Sequence, residues 1–530
     1  MIDGAMQAYA LTLDRILTHG AKWHPSAEVV SAREDGRIDR IGYAALEDRS
    51  RRVSGLLQSL GTKPGDRVAT LAWNSQAHVE AWFGVMGMGA VCHTLNPRLT
   101  AEQLAWMVDR SGARIVIASA DLAPLALELA ERAQSVERVL VIDGRPGNVS
   151  GERLQVDALE DLLTAIDDRP EWGGFDETTP CGLCFTSGTT GNPKGVTYTH
   201  RASFLHAQRL LQVDAMAVSC ADSVLAVVPM FHANAWGLPF AAPAAGAKLV
   251  LPGRHTDGAR LAKLIRAESV TVAVGVPTVW LGLLEHLEAT GEDVPSLQRI
   301  VVGGAPMPTA LMERLETRLG VKVQTTWGMT ELSPSGTVTP LSDPERPAFQ
   351  SGRPTLGIDL LITDPEGNPL PQQRDTEGNL RVRGAAVVER YFGETESALD
   401  SNGWFDTGDL ARIDTAGNLV ITGRAKDLIK SGGEWINPVE IEAVVGALPE
   451  VSLAAVIGRA DPKWGERPIL LVELRDADGV TDEALLASLK GRVASWWIPD
   501  DVVRLDSMPL AATGKIDKIR LRGQYGGAST

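Results

Sequence analysis

The sequence predicts an α/β protein: a large N-terminal region of parallel sheets that includes a small β subdomain, then a small C-terminal α+β domain. Three observations carry that reading. The chain's 530 residues exceed what one ordinary core organises. Up to about Arg346, segments of helical periodicity alternate with short apolar runs, the pattern of βαβ units on a parallel sheet. From about Arg346 to Thr422, short strands between Pro-, Gly- and Asp-rich turns replace that alternation. The boundaries are then 1–422 for the N-terminal domain, with 346–422 as its β subdomain. A joint follows at 423–429, and a C-terminal domain at 430–530.

Taken in order, Tyr43 to Leu60 has helical periodicity and stops at Gly61. A Pro64-Gly65-Asp66 turn leads into the apolar strand Arg67–Ala72, Ala77–Gly87 is helical, and Arg114–Ala118 is a buried strand. The apolar run Cys181–Phe185 enters a loop, Thr186 to Gly195, and Val196–His200 leaves it. Val224–Val228 runs into Pro229–Trp236, Val270–Val276 ends in Pro277, and Arg299–Val302 runs into Gly303-Gly304-Ala305-Pro306. Apolar runs that end in Gly, Pro, His or Trp mark where a site is built, because ligands of open α/β sheets collect beyond the carboxyl ends of strands. In the subdomain, Leu360–Thr363, Gly378–Arg383 and Leu419–Thr422 read as strands.

The bulk composition excludes several classes. Apolar content of 44% with 22% charged residues describes a globular chain rather than a disordered one. A net charge of −16 argues against a general binder of nucleic acid or anionic membrane. Anionic small molecules must then be met by local basic and backbone groups. Four cysteines point to a reducing compartment. Cys181 and Cys184 form a C-x-x-C with no second Cys/His pair at metal-site spacing, so they read as buried strand residues. The N-terminus shows no basic-then-apolar signal. The most apolar region, Ala233–Ala247, is broken by Asn234, Gly237, Pro239, Pro243 and Gly246, so it reads as core and not as a membrane span. A cytoplasmic location is expected.

The loop Thr186-Ser187-Gly188-Thr189-Thr190-Gly191-Asn192-Pro193-Lys194-Gly195 is the centre of the chain's chemistry. Its glycines let backbone N–H groups converge on anionic oxygens. Its hydroxyls add donors or hard-cation ligands, and Lys194 adds a point charge. The spacing is not that of the P-loop NTPases, whose lysine follows a four-residue gap between glycines and precedes Ser or Thr.

This loop resembles the signature of the adenylate-forming enzymes: acyl-CoA synthetases, aryl-CoA ligases, peptide-synthetase adenylation domains and firefly luciferase. Four further stretches match in the family's order: Thr326–Glu331, Gly403–Asp409, Gly423–Glu434 and Pro509–Lys515. Together they cover nearly the whole chain, which looks most like bacterial fatty acyl-CoA synthetases and methylmercaptopropionate-CoA ligases. The resemblance implies ATP, Mg²⁺ and coenzyme A as cofactors, a small carboxylic acid as substrate, a homodimer formed through the N-terminal region, and a mobile C-terminal domain turning about Lys426. By the same resemblance Thr186, Ser187, Gly188, Thr189, Thr190, Gly191 and Lys194 hold the β/γ-phosphates, and Glu331 with Thr186 holds Mg²⁺. Gly304, Thr325, Thr326 and Trp327 line the adenine, Thr330 touches the α-phosphate, Asp409 accepts the ribose hydroxyls, and Arg424 adds a ribose or phosphate contact. Lys515 bridges carboxylate and α-phosphate. Lys430, Gly432 and Gly433 face the site after rotation, and Trp435 lies near the nucleotide.

For the acid, His232 corresponds to a residue beside the acyl carboxylate, and Ala233, Trp236, Gly303, Gly304 and Ala305 to the pocket wall, with Trp236 as a tunnel gate. Adenylation domains for amino acids place an aspartate three residues beyond the histidine position. Ala235 and Trp236 occupy this region, so no buried anion is offered to an ammonium. The expected activity is ATP-dependent ligation of a non-amino carboxylic acid to CoA through an acyl-adenylate. An aryl-acid ligase, an adenylation enzyme loading a carrier protein, and a luciferase-like relative are the rival readings.

Overall fold

The structure, a computed structural model, describes residues 4–147, 153–186, 193–476, 479–511 and 515–527. Two large sheets dominate. The seven-stranded sheet runs, in spatial order, Gln155–Ala158, Arg138–Ile142, Ile115–Ser119, Arg67–Leu71, Val91–Thr94, Pro180–Phe185 and Gly195–Thr199. All neighbours are parallel except the last pair, which forms an antiparallel hairpin across the phosphate loop. The nine-stranded sheet has a parallel centre, Lys322–Gly328, Arg299–Val302, Val272–Gly275, Ser223–Ala226, Lys248–Leu251 and Glu28–Ala32, with antiparallel strands at both edges. The strands are short, apolar and buried on both faces, as parallel strands covered by helices must be. From Ser223–Ala226 the chain crosses first to one side and then, through Val272–Gly275, to the other. That reversal opens a crevice beyond Ala226 and Gly275.

A four-stranded antiparallel sheet follows: Ile358–Thr363, Glu377–Gly384, Phe405–Ile413 and Leu419–Arg424. The sequence announced three of these strands. Phe405–Ile413 escaped because Asp406-Thr407-Gly408-Asp409 interrupts its apolar alternation. The C-terminal unit is built on a five-stranded sheet around the long hairpin Val451–Asp461 and Gly465–Leu474, with its own apolar cluster of Ile436, Ile441, Val456, Leu470 and Leu485.

The apolar stretch after His232 is core, as its breakers implied. Ala233–Gly237 is a tight turn, and Leu238–Ala245 is a buried helix closed by Gly246 in the left-handed region. Cys181 and Cys184 are buried free thiols on their strand. No helix among the described residues is long and apolar enough to cross a membrane. An open cleft of about 840 Å³ separates the helices Pro277–Thr290 and Thr309–Leu319 from the C-terminal unit, and Arg475 bridges it to Glu285 at 2.7 Å.

Candidate active site

A cavity of about 300 Å³ lies in the crevice at the strand reversal. Its walls come from segments far apart in the chain: Val228, Pro229 and His232 after one central strand, Val276 after the next, and Gly304 after the third. Thr326, Thr330 and Glu331 come from the fourth central strand and the turn beyond it. Thr186, Tyr391, Arg424 and Lys515 close it. Of the residues expected from the sequence, the cavity thus gathers Thr186, His232, Ala233, Trp236, Gly304, Thr326, Thr330, Glu331, Arg424 and Lys515.

The acyl-side wall is fixed by a buried clamp. Asn74, at the end of a strand of the other sheet, donates to Ala226 O and Val228 O at 2.9 and 2.8 Å and accepts from Met230 N at 2.7 Å. Just downstream, Ala233, Asn234, Ala235, Trp236 and Gly237 all have positive φ, at 45°, 53°, 46°, 52° and 78°. A left-handed turn of four L-residues costs of order 1–2 kcal/mol per residue, so its surroundings must over-determine it. Ala235 N donates to Pro229 O and His232 O, both at 3.2 Å. Gly237 packs so tightly on His206 that a Cβ there would lie 2.4 Å from Nδ1. The turn lays the Trp236 indole against the Gly303–Gly304 segment, where a Cβ on Gly303 would meet Cη2 at 2.9 Å. The glycines are therefore the seat of this indole. Gly303 and Ala305 do not themselves line the cavity. Burial, reinforced by the charge of Lys515, lowers the His232 pKa to about 4. The ring is neutral at physiological pH, with one N–H to donate.

On the other side, strand alternation sorts neighbouring residues. Thr326 lines the cavity, while Thr325 points away, bonding the Thr339 hydroxyl at 2.7 Å and Gln350 O at 2.5 Å. Trp327 also points away and donates its Nε1–H to Asp409 Oδ2 at 2.9 Å. Asp409 is almost fully buried, and its Oδ1 takes Arg424 Nε at 2.8 Å. Both oxygens are thus held by side chains, and any hydroxyl that Asp409 accepts uses the second lone pair of each. Tyr198 anchors the next turn through a 2.9 Å bond from its hydroxyl to Thr330 O. Burial raises the Glu331 pKa, opposed by a bond from the Tyr391 hydroxyl at 3.0 Å and by the charges of Arg424 and Lys194.

Lys515 reaches the cavity from the C-terminal unit while keeping contact with solvent; a Cβ on Gly304 would lie 3.5 Å from its Cε. Crowding by protein atoms lowers its pKa, Arg424 adds to this, and Asp409 opposes it. An entering anion reverses that bias. Lys194 and Asp409 stand outside the cavity lining, as do Lys426, Lys430, Gly432, Gly433 and Trp435. Lys426 lies on the turn Ala425–Asp427, and Lys430 and Trp435 sit exposed on the hairpin Ile429–Ile436, with the ammonium 5.4 Å from the indole centroid. Lys515 and not that hairpin fills the shared edge.

Ser187, Gly188, Thr189, Thr190 and Gly191 fall outside the described residues, as do Thr513 and Gly514. The ends of the phosphate loop are described: Thr186 N donates to Lys194 O at 2.9 Å. Tyr391, Tyr198 and Asn74 were not foreseen. Asn74 and Tyr391 reach the site from segments without a local motif, and only the tertiary fold brings them there; Tyr198 stands on the strand that leaves the phosphate loop.

Chemically, the cavity offers a carboxylate and a hydroxyl (Glu331, Thr186) beside cations (Arg424, Lys515), a suitable frame for a polyphosphate. The family model of the AMP-binding enzymes matches residues 17–392, and that of the AMP-binding enzyme C-terminal domain matches 440–515. The chain belongs to the AMP-binding enzyme family. Among its family relatives it is 39% identical over 536 residues to the 3-methylmercaptopropionyl-CoA ligase of Ruegeria lacuscaerulensis, covering 99% of both chains. It is 41% identical over 532 residues to the medium-chain-fatty-acid–CoA ligase of Ectopseudomonas oleovorans, covering 99% of this chain and 97% of that one. ATP-bound MatB from Rhodopseudomonas palustris superposes with a TM-score of 0.86 at 26% identity, over 98% of this chain and 99% of that one. The fold is also that of the anthranilate CoA ligase AuaEII, with a TM-score of 0.88 at 24% identity and 99% coverage of both chains. Members of this family form adenylates, and the two relatives named above are CoA ligases.

Proposed function

We propose that the chain is an AMP-forming acyl-CoA ligase for a non-amino carboxylic acid, working through two half-reactions in one cavity. The observation that carries this is the convergence of Lys515, from the C-terminal unit, with Glu331, Thr186, Arg424 and His232 on one space. In the first step a carboxylate oxygen attacks the α-phosphorus of ATP, the bond to the β-phosphate breaks, and pyrophosphate leaves. Negative charge gathers around the α-phosphate, so fixed cations and donors act there. Lys515 bridges carboxylate and α-phosphate, Thr330 donates to the latter, and neutral His232 orients the carboxylate. Asp409, aimed by Trp327 and Arg424, receives the ribose. In the second step the thiol of CoA attacks the acyl carbon and AMP leaves.

The donor set fits Mg²⁺. Among the described residues no cluster of three or more His, Cys, Asp or Glu could cage a metal, whereas one carboxylate and one hydroxyl suit a hard ion held mainly by substrate phosphates and water. When bound by Glu331 and Thr186, Mg²⁺ would neutralise phosphate charge. The acyl side is walled by Val228, Ala233, Trp236, Val276 and Pro334, which supports an apolar acid without an ammonium. The exposed Lys430–Trp435 hairpin supports a turn of the C-terminal unit about Lys426 between steps. A cytoplasmic enzyme is supported by the free cysteines; the homodimer rests on family likeness alone.

The test is pyrophosphate release across C3 to C16 acids, benzoate and cinnamate, followed by AMP release with CoA against a phosphopantetheinylated carrier protein. Release confined to aromatic acids, or to the carrier, would replace this reading by one of its rivals.

A further inference from the structure

Tyr391 lies on the segment that leaves the strand Glu377–Gly384 and returns to the phosphate loop. That segment is stitched to both sides of the cavity: Val388 N donates to Glu331 O at 2.8 Å, and Phe392 N donates to Gly195 O at 2.7 Å. The approach at Gly195 is close enough that a Cβ there would meet Phe392 Cβ at 2.9 Å. Between these two anchors stands the tyrosine. Its hydroxyl donates to Glu331 Oε1 at 3.0 Å, and its ring lies under Lys194, with Nζ 4.7 Å from the centroid. Lys194 and Glu331 attract each other through space, yet no ion pair joins them among the described residues. The phenol meets both, the carboxylate through its hydroxyl and the ammonium through its ring.

We propose that Tyr391 is a positioning residue that keeps the phosphate-loop lysine and the metal-binding carboxylate apart and aims both at Mg·ATP. This rests on the roles given above to Glu331 and Lys194. A direct Lys194–Glu331 pair would satisfy each charge with the other and remove both from the substrate. The ring prevents this by volume and holds the lysine by cation–π attraction. The hydroxyl fixes the carboxylate, as hydrogen bonds to metal-ligating carboxylates do. Tyrosine supplies both functions in one side chain, and burial together with the neighbouring carboxylate keeps it protonated, hence a donor.

The experiment is calorimetric ATP binding to the full chain, with Mg²⁺ titrated in and with EDTA. Tyr391→Phe keeps the spacer and loses the donor. The half-saturating Mg²⁺ should rise about 10- to 100-fold, while metal-free ATP binds within twofold of the parent. Tyr391→Leu loses both, so metal-free binding should weaken as well. In that background Glu331→Gln removes the dead-end partner and should restore metal-free binding towards the parent value. A merely structural tyrosine would not give this rescue. The proposal is overturned if Tyr391→Phe titrates Mg²⁺ like the parent, or if the Tyr391→Leu, Glu331→Gln double variant binds no better than Tyr391→Leu. A parent chain that binds ATP equally with and without Mg²⁺ would sink the metal role of Glu331 instead, and with it the hydroxyl half of the proposal. The lysine half is read from the EDTA arm alone.

Discussion

Lys515 and His232 line the same cavity with opposite electrical characters, and the proposed mechanism sets both against the substrate carboxylate. In that mechanism the lysine brings a charge that matters while the α-phosphate is attacked. Lys515→Ala should therefore lose pyrophosphate release by about 3 kcal/mol, more than a hundredfold, and retain thioester formation from synthetic acyl-adenylate and CoA. Equal loss in both assays would remove Lys515 from the first step. Because crowding lowers its pKa, the alkaline limb of ATP binding should fall below the usual lysine value of 10.5 and vanish in the variant. His232 carries a linkage term in the other direction. Its folded pKa of about 4 lies below the unfolded value near 6.5, so the folded chain binds fewer protons between them. Its contribution to stability is complete above pH 6.5 and is lost as pH falls towards 4. Against His232→Asn, the parent should lose up to about 1.4 kcal/mol more per pH unit across that window in urea titrations. Parallel curves would mean that the ring titrates normally.

At the scale of elements, the left-handed turn Ala233–Gly237 is where the protein stores strain beside its substrate. Replacing Ala235, buried at φ 46°, by glycine relieves that strain while losing a methyl and some chain entropy. Ala235→Gly should therefore cost under about 0.5 kcal/mol, whereas Ala207→Gly, in the buried face of an ordinary helix, should cost about 1 kcal/mol or more. Equal costs in denaturant would show the turn to be relaxed. The turn's purpose is to seat Trp236, so Trp236→Ala should shift preference to longer acids, with each newly buried methylene worth about 0.8 kcal/mol, roughly fourfold in kcat/KM. How far such elements could be read beforehand depends on what encodes them. The strand–loop–strand around Thr186–Gly195, the subdomain and the motif residues Glu331, Arg424 and Lys515 were legible because local pattern and family wording coincide there. Thr325 and Trp327, placed at the adenine wall by family likeness, alternate with the cavity-lining Thr326: Thr325 bonds Thr339 and Gln350, and Trp327 bonds Asp409. Tyr391 and Asn74 had no such signal: long-range returns of the chain carry them to the site. The turn itself was invisible, because nothing in Ala-Asn-Ala-Trp announces positive φ at four L-residues.

For the whole molecule, the proposed mechanism requires the two units to part company between half-reactions, so that CoA reaches the carbon assigned to Lys515 in the first step. Proline at the joint fixes φ near −65°, so Lys426→Pro should still release pyrophosphate and fail to make thioester, the mirror image of Lys515→Ala. Acyl-CoA formation at the parent rate would exclude Lys426 as the pivot. The Arg475–Glu285 bridge spans the wide cleft and would act on the same proposed turn. Both partners are partly exposed, at 33% and 48% of their side-chain surface, so the contact is worth no more than about 1 kcal/mol, roughly fivefold in an equilibrium. A tie this weak would permit the proposed turn, whereas a stronger one would oppose it. An exposed pair is also screened by dissolved ions, with a Debye length of about 8 Å near physiological strength. Ionic strength therefore becomes a partitioning variable. Added salt should raise thioester formation relative to adenylate formation by up to a few-fold, and Glu285→Gln should abolish that dependence while leaving each step intact.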